Sequence, residues 1–133
     1  MQIQFSQSAT IQEIQAQFKS SFSHLKLEFY KKPHHDEEGN LKKDQYLHNV
    51  TLGEIMETQA DISITIDDNM TSAEFEQWFE TNHQLHVQLF RLQRGTWLQT
   101  TATDQLTLIE QNEKGIQADL DIELESPTEI DNQ

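Results

Sequence analysis

One order of parts recurs in this chain and limits what it can fold into: an alternating strand, a Thr-x-x-Glu helix start, an aromatic helix and a second alternating strand. In Asp61-Ile62-Ser63-Ile64-Thr65-Ile66-Asp67 every second side chain is apolar, so one pleat face is buried and the other is wet. Thr71 and Glu74 have the spacing of a capping box, in which hydroxyl and carboxylate each satisfy an orphaned backbone N–H. Phe75, Trp78 and Phe79 then fall on one helical stripe, predicted to face the core. Leu85 to Arg91 resumes the two-residue alternation.

The same order opens the chain. Met1 to Ser6 alternates, Thr10 and Glu13 repeat the cap, Ile14, Phe18 and Phe22 make the stripe, and Leu25 to Lys31 is the second strand. A further cap follows in each half, Thr51 with Glu54 and Thr107 with Glu110. Thr10 and Thr71 are 61 residues apart and Thr51 and Thr107 are 56 apart, so the halves align if the first carries five more residues, mostly between Lys32 and Asn49. This reads as a tandem duplication of about 60 residues.

These parts predict an α+β fold in one domain, residues 1–125, built from two β-α-β-β repeats of about 1–60 and 61–118. A closing strand at 119–125 completes a mixed sheet with helices packed on one face, in a ferredoxin-like arrangement. Lys42 to His48 reads as a short strand before a helical turn at Thr51–Thr58. Arg94-Gly95 reads as a turn before a short strand carrying Trp97. The turn of helix from Thr107 to Lys114 has Gly115 as its C-cap. Residues 126–133 are expected to form a flexible acidic tail.

Charge sets the chemistry of any partner. Nine basic residues face 23 acidic ones, a formal −14, of which residues 67–133 carry −11 (three basic, 14 acidic). Direct binding to nucleic acid or an anionic membrane draws on clustered Lys and Arg, so neither is expected. No stretch approaches the roughly 20 apolar residues that span a bilayer, and the start lacks a leader pattern. With no cysteine, the chain is expected in the cytoplasm.

No catalytic, cofactor or metal site is expected. There is no cysteine nucleophile, glycine-rich phosphate loop or His-Glu metal motif. His34, His35, Asp36 and Glu37 are neighbours in a polar loop, where side chains do not converge on one ion. Asp67-Asp68-Asn69 fails as a calcium loop, because Trp78 stands where the bidentate Glu would be. His83 and His86 lie at a helix-to-strand junction and are expected to be hydrogen bonded or exposed.

Two stretches are candidate partner contacts. Asp119, Asp121, Glu123 and Glu125 make one wholly acidic face of the closing strand. Carboxylates two residues apart on a strand lie about 6.6 Å apart, close to two rises along a DNA strand. Arg91, Arg94 and Trp97 make a mildly basic, aromatic spot in the acidic half. The function expected is a non-enzymatic interaction module with a basic protein partner, and a homodimer through exposed strands is one form of it. The second reading is a DNA mimic that inhibits a DNA-binding or DNA-cutting protein.

The aromatic helix at Phe75–Phe79, the strand Leu85-x-Val87-x-Leu89, the run Trp97-Leu98-Gln99-Thr100-Thr101 and Asp104-Gln105-Leu106-Thr107-Leu108 together resemble a group of small, acidic bacterial proteins of uncharacterised activity. The resemblance covers chiefly residues 70–115, and more faintly their counterparts in the first half. It implies no activity for any residue.

Overall fold

A computed structural model describes residues 1–32, 42–57 and 59–125. The His34–Glu37 loop and the tail at 126–133 lie outside these residues. The chain is α+β, and the described residues form five strands in two antiparallel sheets and four α-helices. The strands are β1 Gln2–Phe5, β2 Leu25–Tyr30, β3 Ile62–Thr65, β4 His86–Gln93 and β5 Thr96–Gln99. The helices are α1 Ile11–Ser21, α2 Leu52–Ile55, α3 Ser72–His83 and α4 Leu108–Glu125.

The single mixed sheet expected for a ferredoxin-like arrangement is replaced by two antiparallel ones, ordered β1-β3 and β2-β4-β5. The reason is in the pairing. Each early strand lies against a strand of the other half, with Ile3 opposite Ile64 in one sheet and Glu28 opposite Gln88 in the other. Antiparallel pairing of this kind leaves no parallel partner to join the two sheets.

All four Thr-x-x-Glu boxes form. In each, the threonine Oγ1 accepts from the glutamate's N–H and a glutamate oxygen accepts from the threonine's N–H. The helix starts also meet in pairs, Thr10 bridging to Thr51 and Thr71 to Thr107. Ile11 N–H donates to Val50 O and Leu52 N–H to Ala9 O, while Ser72 donates to Leu106 O and Leu108 to Met70 O. A threonine at each junction thus caps its own helix and joins it to its neighbour.

The core is aromatic and runs between the helices. Phe22, Phe18, Phe75, Phe79 and Phe29 form a chain of ring contacts with centroids 5.2, 5.6, 5.2 and 6.3 Å apart. Ile3, Ile62 and Ile64 reach it from one sheet, and Leu25, Leu27, Val87 and Leu89 from the other. Trp78, expected to face the core with Phe75 and Phe79, is only partly buried and packs its edge on Phe79.

Two local expectations are overturned. Lys42–His48 is not a strand: Lys42–Asp44 is a single 3₁₀ turn, and only Gln45 bridges to β2, opposite Tyr30. The closing strand at 119–125 is helix, the second half of α4. Its buried residues, Leu108, Gln111, Gly115 and Ala118, follow the helical period, while Leu120 and Ile122, on which the alternation rested, are exposed. Gly115 is therefore inside a helix and caps nothing. A Cβ there would sit 2.4 Å from Leu92 O and 2.9 Å from His24 Cβ, so its glycine permits the helix to approach β4 closely.

Candidate functional site

The 18 residues of α4 are laid along the body of the molecule by that approach. His24, at the entry to β2, accepts α4 at two points. Its N–H donates to Asn112 Oδ1 at 2.8 Å, and its Nε2–H donates to Asp119 Oδ2 at 2.7 Å. The Ser23 hydroxyl lies 2.8 Å from the remaining ring nitrogen. Arg91 holds the other side, buried and donating to Gln111 Oε1, Thr103 Oγ1 and Gln93 Oε1. Burial lowers its pKa from the usual arginine value, and among the described residues no carboxylate is within ion-pair distance.

On the side of α4 turned from the body, Ile109 and Leu120 are 41% and 45% exposed, with partly buried Ile116 between them. Residues 109, 116 and 120 share a helical stripe, flanked by Glu113 on one side and Asp119 on the other. Ile122 belongs to the body-facing register and is 37% exposed. Residues 108–125 hold six acids and one lysine.

The expected acidic row does not line up. On a helix, Asp119 and Asp121 are about 200° apart, so Asp119 turns to His24 while Asp121 accepts from Gln117 Nε2 at 2.9 Å. Glu123 and Glu125 lie in the last turn of α4, outside the residues whose side chains are described. The basic-aromatic spot is also taken apart. Arg94 is in the β4–β5 turn with φ 53°, followed by Gly95 at φ 79°, as the tight hairpin requires. Arg91 lies opposite Leu98 and Trp97 opposite Leu92, so the arginine and the ring point to opposite faces of the sheet.

Trp97 instead joins residues that the alternation of β2 had presented as solvent-facing. Lys26 places its ammonium 4.9 Å from the Trp97 centroid, 5.2 Å from that of Phe90 and 3.1 Å from Glu28 Oε2. The Glu28 side chain is 1% exposed and also accepts from His48 Nε2 at 2.8 Å; a carboxylate only accepts, so this nitrogen carries the proton. Tyr30 donates to Gln45 Oε1 at 3.1 Å, and its own pKa is raised by burial and by the charges of Glu28 and Glu76. With Lys42 and Gln99 these residues enclose a pocket of about 540 Å³. No sequence pattern distinguishes a buried glutamate from an exposed one, so Glu28 and its partners carry no signal in the sequence.

Opposite Glu28 on the neighbouring strand, Gln88 is fully buried and donates to Glu76 Oε2, which also accepts from the Leu89 N–H at 2.8 Å. Burial raises the Glu76 pKa to about 8, against the lowering effect of the Leu89 N–H and with a further rise from Asp104. His83 stacks near Trp78 and has its pKa lowered by burial, and His86 bonds to Glu80 at 2.6 Å. A wider groove of about 700 Å³ follows α3, but its carboxylates Asp67 and Glu74 are occupied by the N–H groups of Asn69 and Thr71. Among the described residues no three His, Asp or Glu side chains cluster as metal ligands, and no helix is long and apolar enough to cross a membrane. Compared with known proteins, the chain matches no family model, no curated sequence and no solved structure.

Proposed function

We propose that the chain is a non-enzymatic protein-interaction module that docks a basic amphipathic segment of another protein along the outer face of α4. The observation that carries this reading is the exposed stripe Ile109–Ile116–Leu120 set among the acids of α4. An apolar stripe supplies burial, and its acidic border selects a basic partner and repels acidic ones. Charge disfavours a second copy as the occupant, since each copy brings a formal −14. DNA mimicry loses its geometric support, because the carboxylates counted along a strand fan out around a helix. The proposal extends to the origin of the chain as two copies of one unit. The paired helix starts support it, with Ile11 to Ser72 offset by 61 residues and Leu52 to Leu108 by 56.

The test is fluorescence polarisation with a labelled Lys/Leu amphipathic peptide and a scrambled peptide of equal composition. Saturable binding of the first alone, weakened by salt and by Ile109→Ser with Leu120→Ser, is expected. Equal binding of the scrambled peptide would reduce the interaction to bulk charge and overturn the proposal. A dimer in light scattering that the same substitutions dissolve would replace the foreign partner with a second copy.

A further inference from the structure

The pocket over Glu28 makes a claim of its own, independent of α4. Its walls are the rings of Trp97, Phe90 and Tyr30, which offer flat apolar surface, and its volume of about 540 Å³ is within the range of small-molecule sites. Its polar groups sit at defined points. Glu28, 1% exposed, is held by Lys26 at 3.1 Å and His48 at 2.8 Å, so the carboxylate is satisfied within the protein and has no need of a ligand cation. The site that a cation would take, between a carboxylate and two ring faces, is filled by the ammonium of Lys26.

Lys26 is still reachable from the pocket, which it lines with a side chain 22% exposed. Lys26 has three N–H donors, and among the described residues Glu28 is its one ion-pair partner. Lys26 and Lys42 against Glu28 give the pocket one net positive charge, two minus one, in a chain that is otherwise strongly acidic. A single positive charge matches a monoanion. A phosphate dianion would meet the nearby Glu28 without enough cations to offset it.

We infer that this pocket binds a small aromatic monocarboxylate, its carboxylate paired with Lys26 and its ring among the aromatic walls supplied by Tyr30, Phe90 and Trp97. The ligand carboxylate accepts from the free N–H groups of Lys26, while Glu28 and His48 keep that ammonium in place. Glu28 is thus a positioning residue, and Lys26 and Trp97 touch the ligand.

The experiment is a titration of the full chain, ¹⁵N-labelled, with benzoate and indole-3-acetate, alongside benzamide as the neutral counterpart and inorganic phosphate. Saturable shifts at residues 26, 48, 90 and 97 with the two carboxylates are expected. Benzamide is expected to bind at least about tenfold more weakly, in keeping with the loss of one charge-assisted hydrogen bond, and phosphate likewise, because it has no ring to bury and meets Glu28. Lys26→Met should lose at least about tenfold in affinity and Lys26→Arg should retain most of it. The arginine variant separates loss of charge from loss of fold, and an unchanged spectrum away from the pocket checks the latter. Benzamide binding as well as benzoate, Lys26→Met binding as well as the parent, or no saturable shift at millimolar carboxylate would each overturn the inference.

Discussion

At the scale of single residues, the consequential letters are acids that the helical stripe, for Glu76, and the strand alternation, for Glu28, leave to solvent and the fold buries. Glu76 is 8% exposed and fixed at the edge of β4 by the Leu89 N–H and the Gln88 amide. Its pKa rises from 4.5 to about 8 on folding, so between these values the native state holds a proton that the unfolded chain has released. Stability from this group is therefore fully present below about pH 4.5 and is lost as pH rises through about 8, by an amount on the order of a few kcal/mol. Glu76→Gln keeps an acceptor for the same two donors and removes the titration. Urea unfolding from pH 5 to 9 should show the parent midpoint falling while that of Glu76→Gln stays level; parallel curves would refute the buried acid. Glu28, two-fold anchored by Lys26 and His48, is equally invisible in the sequence, where Lys26-x-Glu28-x-Tyr30 reads as an ordinary wet face. Burial of that face comes from the chain around Gln45 and His48, which local periodicity does not place.

Elements were legible where their signals are local and obscure where two periods compete. The four capping boxes are closed within three residues each, so the helix starts could be read directly, and the Arg94-Gly95 turn likewise. Thr71→Ala removes the bond to the Glu74 N–H and should cost about 1 kcal/mol of stability in chemical denaturation. A cost near zero would mean that its bridge to Thr107, which is backbone, carries the junction alone. The end of the chain misled because Leu120, Ile122 and Leu124 alternate with acids as a strand would. The helix is fixed instead by tertiary contacts, Gln111 to Arg91 and Gly115 against Leu92 and His24, that no window of sequence contains. Gly115→Ala tests this directly. Alanine favours an isolated helix by about 1 kcal/mol. Here its Cβ would meet the Leu92 carbonyl at 2.4 Å, so a net loss of about 1 to 3 kcal/mol is expected, with faster amide exchange across 108–125. A more stable variant would mean that α4 does not lie where its contacts put it.

At the scale of the whole molecule, the first half has no sheet of its own among the described residues. Among the described residues β1 pairs with β3 and β2 with β4, so both of these strands of the first half depend on residues 61–125 for their partner strand. The aromatic chain crosses the same divide twice, at Phe18–Phe75 and Phe29–Phe79. An isolated first half would keep α1 and its cap but expose the apolar faces of two unpaired strands, which a helix of 11 residues cannot offset. The second half retains the β4–β5 hairpin and α4, but loses the partners of β3 and one edge of β4. The two peptides should therefore be unfolded apart, by far-ultraviolet circular dichroism and amide exchange, and should regain the parent spectrum when mixed in equal amounts. A sharp, cooperative melt from either peptide alone as a monomer would mean that the halves are separate folding units, and that the pairing between them joins parts already formed.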